Sequence, residues 1–415
     1  MGSSKNYKWE LLALLSAAFF FHQADRAIFG VVLSSIKSEL GLTDSGLGLV
    51  GTSLFITLAV MVPVAGFLGD RFSRKWIVTC SLLFWSVATT VTGFARGLFS
   101  LVAFRSVATG GGESFYAPSA YSLLAAYHKE TRSMALSIHQ AALYIGVMSS
   151  GFLAGWVAEN WGWRSAFYVF GAVGVLLGLV FIVRLRDAPQ TEGRAEEAAG
   201  AGKPTFGEAV RVLVRTPSAL LLTVGFCAIV FVNNAYVVWA PAFVQHKFSL
   251  TLTQAGGGAM FYHHAAAFAA IMLGGIVTDR LVPSCPTFRL RLQGVALLLG
   301  APMIYWVGVT SQVGMTWVAM AAYGVFRGLF EANTHASLFD VVQSRYRATA
   351  VGLMTMTAFL IGSLSPFLIG KLCDAYGKAQ GMTIGFTVLA ATYVFGAAAI
   401  FCSMLFTFRR DRVVE

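Results

Sequence analysis

Gly66-Phe-Leu-Gly-Asp70-Arg71-Phe-Ser-Arg74-Lys75 closes one long apolar run, and Gly275-Ile-Val-Thr-Asp279-Arg280 closes another in the second half of the chain. Both stretches set a glycine, an aspartate and an arginine at the same relative positions. A second echo joins Arg132-Ser-Met-Ala135-Leu to Arg347-Ala-Thr-Ala350-Val, each opening a later apolar run. One helical unit is therefore encoded twice. Paired repeats of this kind build alternating-access transporters, whose sites lie where the repeats meet.

Outward from these markers, runs long enough to cross a bilayer recur, since a spanning helix needs about 20 apolar residues. They fall near 10–34, 46–68, 75–95, 98–122, 133–157 and 164–184, then near 218–244, 252–278, 290–309, 313–340, 347–370 and 383–407. Between the two sets lies a polar stretch with Arg186, Asp187, Glu192, Arg194, Glu196, Glu197 and Lys203, punctuated by Pro189 and Pro204. It reads as a linker, with a short surface helix over 205–214. The sequence thus predicts an all-α membrane protein of twelve transmembrane helices in two pseudo-symmetric six-helix bundles. The bundles are expected over 1–184 and 216–415, the latter ending in a short tail, with the linker over 185–215.

Composition agrees. The 415 residues are 57% hydrophobic and only 12% charged, with mean hydropathy +0.70, whereas soluble domains carry about 25% charged residues. Lipid, not water, is the expected solvent of the outer surface. A net charge of +11 suggests nucleic acid in a soluble chain, but here the basic residues sit in short loops and set topology instead. Arg71, Arg74, Lys75, Lys129, Arg132, Arg280, Arg289, Arg291, Arg345, Arg347, Arg409, Arg410 and Arg412 all fall on one side, with the linker. Only Lys37, Arg96, Arg164, Lys247, Lys371 and Lys378 fall on the other. Both termini are therefore expected in the cytoplasm, in a plasma or inner membrane. The first run contains Asp25 and Arg26 and lacks a cleavage site, so it reads as a first span rather than a signal peptide. The five cysteines show neither metal spacing nor a disulfide framework. No metal site, enzymatic nucleophile–base set or phosphate-cradling loop is legible, so neither a cofactor nor direct ATP hydrolysis is expected.

Ionisable residues inside the spans point to function. A charge at mid-bilayer costs about 2.5–3.5 kcal/mol on insertion scales, so it faces the bundle interior. Asp25, Arg26, Arg105, Glu113, Arg327 and Glu331 are such residues, with Arg105 expected nearer the membrane surface. Asp25 and Arg26 point about 100° apart on a helix and need not pair. Arg327 and Glu331, four apart, share a helix face. A coupling carboxylate must change protonation as it alternates between water and burial beside a cation, and Asp25, Glu113 and Arg26 have that chemistry. Gln23, His139, Gln140, Tyr144, Asn233, Asn234, Tyr236, Tyr262, His263, His264, Asn333 and His335 also fall in spans. Converging, they suit a small hydroxylated or carboxylated solute, with Arg26 or Arg327 taking a carboxylate in a bidentate grip. The commoner fate of a lone membrane His or Asn is to bridge helices. His263 and His264 cannot both face one cavity, so one is expected at a helix interface.

The 66–75 stretch resembles the loop signature of the major facilitator superfamily, and the likeness extends over essentially the whole chain. That resemblance implies the major facilitator fold, a monomer embedded in the lipid bilayer, and a latch of the halves by Gly66, Asp70, Arg71 and Arg74, with Asp279 and Arg280 as its second-half echo. Within the superfamily two likenesses compete. His22-Gln23-Ala24-Asp25-Arg26, with Glu113 following Gly110-Gly111-Gly112, is similar both to Spinster-like lipid transporters and to the anion:cation symporters. In both groups the first-span acid and the fourth-span glutamate are implicated in proton coupling. Phe84-Trp85-Ser86 and the Asp25-to-Glu113 spacing lean toward the first group, the Trp161-Gly-Trp163-Arg164 turn toward the second. The run Gly146…Gly151…Gly155 lacks the Gly-Pro pairing of drug/proton antiporters. The leading expectation is proton-coupled symport of a small organic anion, such as a sugar acid or hydroxylated carboxylate, driven by the proton gradient. The alternative is a Spinster-like transporter of lysophospholipid or sphingoid lipid.

Overall fold

The computed structural model describes residues 3–69, 72–187 and 206–413. All secondary structure among them is helical. Eleven of the described helices are long and apolar enough to cross a membrane, with mean hydropathy between 1.2 and 2.6 over their most apolar stretches. The remaining expected span, the fourth, runs as Leu98–Leu101, a π-helical turn Val102–Ala108, Thr109–Ser114 and Tyr116–Tyr127. Its three consecutive glycines, Gly110 to Gly112, and the π-turn break the regular ladder, which is why no unbroken helix covers it. The linker helix forms over Phe206–Arg215.

Two structural echoes follow the sequence repeat. The fifth span ends at Gly162 and the eleventh at Gly377, with φ of 82° and 80°, a conformation open to glycine but strained for other residues. The turns entering the second and eighth spans place Gly41 and Ser249 at φ 61° and 52°, each followed by Leu-Thr.

By their contacts the described residues form two units, cut differently from the division at the linker. The first holds the chain up to 187 together with Asn234–His264 and Ser363–Met382. Here glycines let helices meet backbone to backbone: Gly146 against Phe20, Gly151 against Gly256, Gly155 against Leu252 and Thr253, and Gly48 against Pro366. In a bilayer such close approach supplies the dispersion contact that binds helices. Thr52 Oγ1 donates to the Ser363 carbonyl at 2.5 Å and Trp239 Nε1 to the Pro366 carbonyl at 2.9 Å. The other unit holds residues 206–233, Ala265–Gly362 and 383–413. Gly328 lies against Ala267, and Gly225 against Ile400. Polar bridges join Ser337 to Gln293 at 2.8 Å and Asn333 to Thr278 at 3.2 Å.

Candidate functional site

In the first unit, the helix Ser3–Leu40 and the broken fourth span bring four charges together. Arg105, in the π-helical turn, is 1% exposed. Its Nη2 donates to the carbonyls of Asp25 and Arg26 at 2.9 and 3.4 Å. Arg105 is thus enclosed by protein, with backbone acceptors on one of its guanidinium nitrogens. Asp25 accepts a hydrogen bond from Thr89 Oγ1. Arg26 Nε donates to Glu113 Oε2 at 2.7 Å, with the Glu113 side chain wholly buried and that of Arg26 one-fifth exposed. As helix geometry allowed, Asp25 and Arg26 take different partners.

Surrounding groups fix this arrangement. Gln23 Nε2 lies 2.9 Å from His22 Nδ1, and His22 Nε2 lies 3.2 Å from the Glu113 carbonyl. That network assigns the Nε2–H tautomer to His22, accepting from Gln23 and donating to Glu113. Ser81 Oγ donates to the Gly112 carbonyl at 2.7 Å. The missing side chain of Gly112 lets the fourth span approach Trp85 and Phe84. Two arginines face two acids, so the fully ionised cluster is neutral. The outer oxygens, Asp25 Oδ1 and Glu113 Oε1, are buried without a hydrogen-bond partner among the described residues.

The other expected ligands separate into roles. His139 stacks on Phe19 at 4.3 Å between ring centroids, and its Nε2 lies 3.1 Å from Tyr116 Oη. Through Tyr116 it belongs to an aromatic wall with Trp85 and His22, and it is fully buried. Tyr144 and Asn234 are buried, and Tyr262 is exposed. His263 is buried against Tyr236 at 4.5 Å, and His264 Nδ1 lies 2.8 Å from the Met260 carbonyl of its own helix.

In the other unit, Arg327 and Glu331 pair within one helix at 2.9 Å. Asn333 precedes the next helix, Thr334–Phe339, bridges to Thr278 and is 1% exposed, whereas His335 is exposed. Of the expected latch, Asp70 and Arg71 lie outside the described residues. Gly66 falls in the helix Asp44–Gly69, Arg74 opens the helix Arg74–Thr92, and Asp279 and Arg280 are exposed in the last turn of Leu252–Leu281.

Sequence reading missed a matched pair of helix caps in the first unit. Asp374 accepts from the backbone N–H groups of Asp44 and Ser45, both at 3.0 Å. Glu159 accepts from the Thr253 backbone N–H at 2.8 Å and its hydroxyl at 2.7 Å. Each carboxylate thus sits on the positive end of a spanning helix, the second and the eighth. The signal was in the chain: Glu159-Asn-Trp-Gly162 and Asp374-Ala-Tyr-Gly377 repeat the same acid–aromatic–glycine spacing.

The sequence profile of the Major Facilitator Superfamily matches residues 15–366. Protein spinster of Drosophila melanogaster is 26% identical over 394 residues, covering 89% of this chain and 63% of the fly protein. Protein spinster homolog 1 of Mus musculus is 31% identical over 397 residues, covering 90% of this chain and 74% of its own. The sphingosine-1-phosphate transporter SPNS2 of Mus musculus is 26% identical over 415 residues, covering 92% and 74%. The chain therefore spans under two thirds of the fly protein and about three quarters of the mouse ones. A crystal structure of a bacterial homolog to the human lysosomal transporter Spinster, inward-facing and unoccupied, shares the fold. Its TM-score is 0.87 at 22% identity, covering 98% of this chain and 99% of that one.

Proposed function

Because this chain belongs to the Major Facilitator Superfamily, is Spinster-like within it and is a transporter rather than an enzyme, we propose that it carries an amphipathic lipid with an anionic head group, coupled to protons through Glu113, Asp25 and Arg26. The observation that carries this reading is the buried Arg26–Glu113 pair, whose arginine alone keeps partial exposure. When all four charges are ionised the cluster has no net charge to attract an anion. A proton on Glu113 removes its side of the pair and leaves one positive charge in excess. The Arg26 guanidinium then takes a phosphate or carboxylate in a charge-assisted grip. Loss of the proton restores the pair and displaces the anion. Proton and anion are thereby bound together and released together.

Two features support a lipid over the small solute of the first expectation. The relatives include a sphingosine-1-phosphate transporter. A cavity of about 400 Å³ in the first unit is walled by Leu68, Phe72, Ile77, Phe84 and Phe115, with Gly112, the neighbour of Glu113, among its lining. Its apolar walls suit an acyl chain. The second reading, symport of a small hydroxylated carboxylate, uses the same charged centre without the groove, and the partial exposure of Arg26 is the observation in its favour. For either cargo the working unit is a monomer in the bilayer with both termini cytoplasmic, as the loop charges suggest. Alternating access follows from the repeat architecture. The Glu159 and Asp374 caps hold one end shut, and the Asp70, Arg71 and Arg74 region serves as the counterpart latch.

The test is transport in proteoliposomes under an imposed proton gradient, with fluorescent lysophospholipid and a panel of small carboxylates as cargo. We expect gradient-stimulated movement of the lysolipid, with Glu113→Gln abolishing the stimulation. Gradient-driven movement unchanged in Glu113→Gln would overturn the coupling assignment. Movement of a carboxylate alone would select the second reading.

A further inference from the structure

The linker helix Phe206–Arg215 leaves a chemistry that transport does not use. Glu208, Arg211 and Arg215 recur at helical spacing and share one side, while Leu213 is buried on the other. On the polar side lies a cavity of about 530 Å³, lined also by Thr216 and by Arg345 and Tyr346 of a 3₁₀ turn. Three guanidiniums and one carboxylate line it, an excess of two positive charges. The Arg345 guanidinium lies over the Tyr346 ring at 4.6 Å, and its Nε donates to Gln343 at 3.2 Å, contacts that set its direction. Tyr346 is 6% exposed and so anchors that wall.

We propose that this cavity binds the head group of an anionic glycerophospholipid from the surrounding leaflet. The placement argues for lipid over a soluble phosphate. Thr216 alone separates this helix from Pro217, the first residue of the spanning helix Pro217–Phe248. The cavity therefore lies at the rim where a spanning helix leaves the membrane. Val214 and Leu220, close in the chain to Arg215 and Thr216, are exposed, giving apolar surface beside charge, as an amphipathic helix lying on a bilayer requires. Planar guanidiniums hold a phosphate by paired N–H contacts, and basic pockets beside spanning helices are the form of site that anionic lipid head groups occupy. Bound there, the lipid ties the linker helix to the 344–346 turn, within one unit and independently of the cargo.

The test uses purified full-length protein in nanodiscs of phosphatidylcholine doped with phosphatidylglycerol. Retained phosphatidylglycerol is counted by native mass spectrometry, and thermal stability is followed as its fraction rises. Each arginine at an anionic membrane surface is worth about fivefold in affinity. The Arg211→Gln/Arg215→Gln/Arg345→Gln triple variant is therefore expected to retain phosphatidylglycerol at least tenfold more weakly, with its stability in pure phosphatidylcholine unchanged. Glu208→Gln, which removes the one opposing carboxylate, is expected to raise retention. Equal retention by the triple variant and the native protein would overturn the proposal. So would millimolar inorganic phosphate stabilising the native protein as phosphatidylglycerol does, since that result assigns the cavity to a soluble anion. Should the triple variant fold poorly, unchanged or reduced retention in Glu208→Gln overturns it in the same way.

Discussion

Arg105 carries more of the site than its place in the sequence suggests. Fully buried, it ties the carbonyls of Asp25 and Arg26 to the fourth span and balances the second carboxylate. Removing one member of a buried charge set leaves the others uncompensated, at a cost of about 3–5 kcal/mol. Arg105→Leu is therefore expected to lower the thermal midpoint strongly in detergent, while Arg105→Lys retains part of it. A midpoint within a degree or so of the native protein for Arg105→Leu would mean the four charges do not act as a set. At Gly112 the constraint is space: an added Cβ meets Phe84 at 2.8 Å and Trp85 at 3.0 Å. Gly112→Val is expected to part the third and fourth spans and to impair transport even though it touches no charge, and native transport rates in that variant would refute the packing argument. His139 teaches the converse. A polar residue inside a span suggested a ligand, but stacking on Phe19 gives its ring a partner already.

At the scale of elements, the paired caps deserve the clearest experiment. An acceptor at a helix N-terminus is worth about 0.5–2 kcal/mol, and the two caps act on different helices, so their losses are expected to add. With native cysteines replaced, spin labels on Ser38→Cys and Ser249→Cys, both exposed at this end of the first unit, report its opening. Glu159→Gln and Asp374→Asn are each expected to populate a longer distance, and the double variant more so. An unchanged distance distribution in the double variant would reduce the caps to local helix chemistry. The π-turn in the fourth span belongs to this scale as well. It breaks the span into pieces each too short to cross a bilayer alone, and the buried Arg105 lies within it.

For the whole molecule, charge neutrality of the buried centre links proton and anion. Accumulation of cargo is expected to collapse when a protonophore removes the gradient, and an electrode or dye reading of proton flux should rise when cargo is added. Cargo accumulation that persists undiminished with the protonophore would separate transport from protons altogether.

The sequence by itself determined the membrane class, the helical repeat and the family. Those follow from hydrophobic length, loop charge and the Gly-Asp-Arg echo, which are local properties of a chain in lipid. It also named Asp25, Arg26 and Glu113, because a charge inside an apolar run has to be compensated. It did not reveal that Arg26 pairs with Glu113 while Asp25 turns to Thr89, that Arg105 holds the carbonyls of Asp25 and Arg26, or that Glu159 and Asp374 cap distant helices. Each of those depends on which helix faces sit side by side and on backbone irregularities such as the π-turn. Contacts between residues far apart in the chain are decided by packing, and only the tertiary structure carries that information.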